Sequence, residues 1–129
     1  IYVMRADGAH ERNLTNDPAA DFLPNWSPDG KRIAWSSGRD GDQEIWAMSR
    51  SGRDAIQLTD HPAEDNKPAW SPDGKLIAFH SRRDLPARAL YSMAVDGSGV
   101  TRLTMDPAYQ PDWQPLEAPH CVPWSADDA

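Results

Sequence analysis

A near-copy of one decapeptide constrains the fold of this chain more than any other feature. WSPDGKRIAW runs from Trp26 to Trp35 and WSPDGKLIAF from Trp70 to Phe79, identical at eight of ten positions and 44 residues apart. The likeness extends to both sides. IYVMRADGAHERNLT begins at Ile1, IWAMSRSGRDAIQLT at Ile45 and LYSMAVDGSGVTRLT at Leu90, so the steps are 44 and 45 residues. Ahead of the tryptophans stand DFLPN from Asp21, DNKPA from Asp65 and a shorter YQPD from Tyr109, which puts Trp26, Trp70 and Trp113 in one slot. A period of this length marks a repeat architecture, each unit being one supersecondary structure that buries its faces against its neighbours.

Each unit reads as four short strands, in the first complete unit roughly Leu23–Ser27, Lys31–Ser36, Glu44–Ser49 and Arg53–Thr59. In SPDG, Pro28 supplies the fixed φ that starts a type I turn and Gly30 the positive φ that ends it. Asp29 and Asp73 serve the same turns, Asp bonding its own backbone, and Gly30 and Gly74 close them. RDG at 39–41 and ADG at 6–8 are further turn signals. Apolar spacing of three and four never outlasts one turn, and 12 prolines and 8 glycines interrupt it, so no helix is expected. The runs IYVM and IAW are nearly continuous in apolar residues rather than alternating, the mark of a sheet covered on both faces. Four short strands in ~40–45 residues, sandwiched between like units, describe a β-propeller blade.

The residues LT, then D-x-x-P-x-WSPDGK-x-IA, then EIW-x-M resemble the TolB-type β-propeller repeat, over about residues 1–116. PDWQPL at 111–116 is similar to the ending of such chains. The resemblance implies an interaction platform, six-bladed in TolB itself, periplasmic or secreted, and elsewhere a module attached to peptidases, kinases and other bacterial proteins. The expected fold class is all-β: a partial β-propeller with two complete four-stranded antiparallel blades (22–59 and 66–104) and half-blade strands at each end, at 1–15 and 109–114. Residues 117–129 are expected to form a C-terminal tail. Because propellers close with about 4–8 blades, three arrangements stay open: part of a longer propeller, a homodimer completing a six-bladed ring, or a short open stack. Pro115, Pro119 and Pro123 disfavour a paired second strand after Trp113, which weighs against the dimer.

Composition narrows the function. A net charge of −7 repels phosphate backbones, so neither nucleic acid nor an anionic membrane is an expected partner. No apolar run approaches the ~18 residues of a membrane-spanning helix. Cys121 is the single cysteine, which excludes an internal disulfide. There is no G-x-S-x-G elbow, H-E-x-x-H pair or phosphate-cradling glycine loop, and no enzyme is expected.

Residues held by the period are expected to serve the fold: Trp26, Trp70 and Trp113 as packing anchors, Arg39 and Arg83 as ion-pair or turn residues. Glu44 reads as dispensable, since its counterpart is Ala89. Asp21 and Asp65 precede the innermost strand, beside the central channel of a propeller, where they are candidates for partner binding. They are also weaker candidates for a divalent cation such as calcium, or simply cap the loop by accepting backbone N–H bonds. At the third unit this position is Ala108. Residues that differ between units are the better source of specificity, so His61, Glu64 and Lys67 join the two aspartates as expected contacts for a protein partner. The alternative is a propeller that gates, or is attached to, a hydrolase, peptidase or signalling domain in a longer parent chain.

Overall fold

Strands of six residues alternate with two-residue outer strands, in two successive meanders. The computed structural model describes residues 1–84, 86–105, 107–108 and 110–114. A two-residue ribbon, β1 (Tyr2–Val3) and β2 (Arg12–Asn13), opens the chain. The first blade follows as β3 (Asp21–Trp26), β4 (Arg32–Ser37), β5 (Glu44–Ser49) and β6 (Ile56–Gln57), hydrogen-bonded in that order. The second repeats it with β7 (Asp65–Trp70), β8 (Leu76–Ser81), β9 (Ala89–Ala94) and β10 (Thr101–Arg102). All pairings are antiparallel. The fold is a partial β-propeller: two complete blades preceded by the outer pair of a third.

The turns follow the sequence chemistry. Gly30 and Gly74 have φ of 66° and 71°, and their N–H groups close onto Ser27 and Ser71 carbonyls at 2.9 and 2.8 Å. Asp29 accepts from the Ser27 hydroxyl at 2.6 Å and the Lys31 N–H at 3.0 Å; Asp73 repeats this with Ser71 at 2.6 Å and Lys75 at 3.1 Å. Those bonds hold both carboxyls below the usual range.

The middle strands are buried along nearly their whole length, which is why they read as apolar runs. Within β4 the faces are unequal. Ile33 and Trp35 pack with Met48 and Leu14 against Ile1 and Val3 of the opening ribbon. Ala34 and Ala47, on the opposite face, receive Ile77, Phe79, Tyr91 and Met93 of the second blade. The large face of one blade fits the small face of the one before it. Full burial of a side chain such as Phe79 contributes about 1.5–3 kcal/mol, so these seams carry much of the stability.

Two features depart from expectation. The outer strands pair over only two residues each, and in the first blade a left-handed backbone at Asp54 (φ 56°) turns the chain just before β6. The third inner segment, 110–114, forms no ladder among the described residues. Trp113 nevertheless occupies the repeat slot, its Nε1 donating to the Ala69 carbonyl at 2.9 Å. The expected tail at 117–129, with Cys121 and His120, and the prolines at 115, 119 and 123 lie outside the described residues.

Candidate functional site at the inner strands

The inner strands carry prolines at matching positions, Pro24, Pro68 and Pro111. An inner strand is an edge strand, and proline is tolerated there because its missing N–H leaves no ladder bond unmade. Just before each of the first two prolines the ladder slips. Three steps from Phe22 to Asn25 oppose two from Ser36 to Ala34, and Asn66 to Ala69 repeat this against His80 to Ala78. The residues absorbing these bulges are Leu23 and Lys67, at φ 55° and 57°, a conformation that non-glycine residues rarely adopt. Lys67 is held there by its N–H, which donates to Ser36 Oγ of the first blade at 3.1 Å.

The bulges bring three equivalent tripeptides to one place. Leu23-Pro24-Asn25, Lys67-Pro68-Ala69 and Gln110-Pro111-Asp112 line a cleft of about 380 Å³. Its wall is laid out by the repeat, yet its side chains differ from unit to unit: an exposed leucine, a lysine and an amide, with a carboxylate beside the last. Of the residues expected at the site, Lys67 is the one that lines this cleft.

Asp21 and Asp65 are placed differently. Arg39 Nη2 meets Asp21 at 3.1 Å and Trp35 Nε1 donates to the same carboxylate at 3.1 Å. Arg83 Nη2 meets Asp65 Oδ2 at 2.6 Å. The aspartate side chains are 4 % and 0 % exposed, so their bonds go to guanidinium groups of the same blade rather than to backbone N–H groups. Each arginine in turn lies over two rings, Arg39 over Trp35 and Trp46 at 5.5 and 4.5 Å, Arg83 over Phe79 and Tyr91 at 5.4 and 4.9 Å. This aspartate–arginine–aromatic staple, 18 residues in span, ties the start of the inner strand to the turn after the second strand. A cation at Asp21 or Asp65 would have to displace a guanidinium. Among the described residues no group of three or more His, Cys, Asp and Glu is arranged to hold a metal.

The two staples differ electrostatically. Burial alone would raise the Asp21 carboxyl, but bonds from Ser37, Thr15, Trp35 and Arg39 outweigh it and hold the group below the usual range. At Asp65 burial wins and the carboxyl is pushed up, despite Ser81, Arg83 and Thr59. His61 and Glu64 are built into the loop ahead of it. The His61 Nδ1 accepts from the Ala63 N–H at 3.1 Å, and Glu64 pairs with Arg82 and Arg88 at 3.5 and 3.6 Å.

Two residue types were missed from sequence. One is the threonine of each LT pair. Thr15, Thr59 and Thr104 accept through Oγ1 from the Ile1 amino group at 2.7 Å, the Ile45 N–H at 2.9 Å and the Leu90 N–H at 3.0 Å. The signal was present, as NLT, QLT and RLT recur at one slot. The other is Glu44, 3 % exposed, which accepts from the Thr59 hydroxyl and from the His61 N–H at 2.8 Å. Its replacement by Ala89 in the next unit hid an interaction specific to one seam.

Known proteins share this arrangement. Residues 22–119 match the model of the TolB beta propeller domain family. The Tol-Pal system protein TolB of Anaeromyxobacter dehalogenans is 41 % identical over 109 residues, 83 % of this chain and 25 % of that protein. A solved structure described as TolB from Agrobacterium tumefaciens superposes with a TM-score of 0.72 at 35 % identity, over 87 % of this chain and 39 % of that one. TolB from Acinetobacter baumannii gives 0.68 at 26 % identity, over 81 % and 26 %. The chain thus spans between a quarter and two fifths of these relatives. With two copies of the blade, the shared inner-strand slots and a family match over most of its length, this chain belongs to the TolB beta propeller domain family.

Proposed function

We propose that this chain is a non-catalytic protein-binding module whose recognition surface is the channel-side cleft. The observation that carries the reading is the contrast within each inner strand. Positions that build the blade repeat, the cleft prolines Pro24, Pro68 and Pro111 among them, whereas the residues flanking those prolines, Leu23 and Asn25, Lys67 and Ala69, Gln110 and Asp112, change in every unit. A wall with a fixed frame and varied side chains is suited to reading one partner. The naming of the Anaeromyxobacter relative as a Tol-Pal system protein favours a protein as that partner. In this reading Lys67 touches the partner, Glu64 stands on the rim, and Asp21, Asp65 and His61 hold the loops in place.

The test is site-specific photo-cross-linking in an envelope extract of the bacterium that encodes the chain. Probes go at positions 23, 67 and 110, with a control at Ile56 on the outer edge. Products specific to the three channel positions are expected. With the captured protein then purified, Lys67→Glu should weaken binding by about tenfold, ~1.4 kcal/mol. Equal cross-linking at Ile56, or binding untouched by Lys67→Glu in a folded variant, overturns the reading.

A further inference from the structure

The seam between the two blades encloses more negative charge than it neutralises. Glu44, the first residue of β5, is 3 % exposed, and Asp65, the first residue of β7, is 0 % exposed. The strands meet there, the Asp65 N–H donating to the Gln43 carbonyl at 2.7 Å. Thr59 lies beside both carboxylates with one hydroxyl hydrogen, and Ser81 stands with Arg83 beside Asp65. The Thr59 oxygen already accepts from Ile45, and it gives that hydrogen to Glu44 Oε2. Asp65 Oδ1 is left buried without a hydrogen-bond partner among the described residues. Arg83, from the turn after β8, is the one cation among them ion-paired to either group. The other charged or titratable neighbours are Asp60 and His61 on the connecting loop and His80 on β8, opposite Asn66.

The repeat supplies an internal control. The Ala108 N–H donates to the Arg88 carbonyl at 3.0 Å, as Asp65 does to Gln43, so Ala108 and Ala89 occupy the slots of Asp65 and Glu44 at the next seam. Both carboxylates are missing there together, while Thr104 still caps Leu90. The seam after the second blade therefore stacks without either carboxylate, so blade stacking does not require the acid pair.

We propose that this seam is a proton-operated latch, in which Glu44 and Asp65, bridged by Thr59, hold a shared proton in mild acid and lose it as the pH rises, loosening the contact between the blades. A proton on either group turns an acceptor into a donor and supplies the hydrogen that Asp65 Oδ1 lacks. Burial pushes both carboxyls up, and for Glu44 the charges of Asp65 and Asp60 add to it. A folded carboxyl raised above its unfolded value binds more protons in the folded state. The latch's contribution is therefore full below the ordinary carboxylate range and is lost as pH rises through the raised values. Lys67 lies two residues beyond Asp65 on the same strand, so loosening would be felt at the cleft.

The test is a carbon-detected NMR titration of side-chain carboxyls in the full chain. Glu44 should titrate above the ordinary glutamate value of a model peptide, and Asp65→Asn should move its midpoint down, whereas Asp21→Asn should leave it in place. A second variant, Glu44→Gln, mimics the protonated form. It should raise the melting temperature at pH 8 and flatten the fall in melting temperature between pH 5 and 8. Titration of Glu44 at the ordinary glutamate value, indifference of its midpoint to Asp65→Asn, or an unchanged slope in Glu44→Gln overturns the latch.

Discussion

Three glycines offer a measurement of how closely neighbouring units approach. Gly8, Gly52 and Gly97 occupy one slot of the repeat and share a left-handed backbone, with φ of 82°, 85° and 88°. An alanine at each therefore bears the same conformational cost, about 1–2 kcal/mol. What differs is the space. A Cβ on Gly97 would stand 2.4 Å from the Leu58 carbonyl oxygen, and one on Gly52 2.9 Å from that of Leu14, while Gly8 has nothing within 4 Å. The obstacle is backbone belonging to the preceding unit, so relief requires one blade to move against another. Overpacking of this kind adds about 1–3 kcal/mol. Gly97→Ala should thus cost about 2–5 kcal/mol in all, Gly52→Ala somewhat less, and Gly8→Ala only about 1–2. Domains are typically stable by about 5–15 kcal/mol, so the first loss would be plain in urea unfolding followed by circular dichroism. Equal midpoints for Gly97→Ala and Gly8→Ala would refute the reasoning, because contact between units would then add nothing.

Trp70 is 8 % exposed and lies under Arg32 at 5.5 Å, whereas Trp26 in the same slot is 45 % exposed. Trp70→Ala should cost about 3–5 kcal/mol in chemical unfolding and Trp26→Ala under about 1. Arg83→Ala leaves Asp65 buried without its cation and should lower stability by about 3–5 kcal/mol at pH 7, with part of the loss recovered in the double variant carrying Asp65→Asn. Thr59→Val strips a partner from both the Ile45 N–H and Glu44 and should cost about 1–3 kcal/mol by thermal unfolding; Thr104→Val, with no carboxylate to serve, should cost less.

The repeat made the architecture legible from sequence, because blade stacking imposes the same demands every 44 or 45 residues. Burial on both faces writes IAW and IAF, the tight hairpin writes SPDG, and the third strand writes IW and LY. Each is a local requirement that a reader can recognise without coordinates. The site was legible only in outline. Lys67 was singled out because it differs between units, and the structure places it at the cleft. Asp21 and Asp65 recur, and their position in the chain suggested the channel, but their partners are arginines 18 residues away, reached through the strand pairing.

Glu44 shows where sequence reasoning ends. Its neighbours along the chain make it look like an exchangeable turn residue. Its burial comes from the following blade, whose inner strand closes over it and brings Asp65 to the same enclosure. The sequence by itself determined what each unit must be, since strand, turn and face are encoded within a few residues of one another. Only the tertiary structure decided what lies between units: the glycine set against a backbone carbonyl, the bulges that gather three tripeptides into one cleft, and the buried acid pair. Those features depend on groups from two or more units, and their separation in space is fixed by packing, not by spacing along the chain.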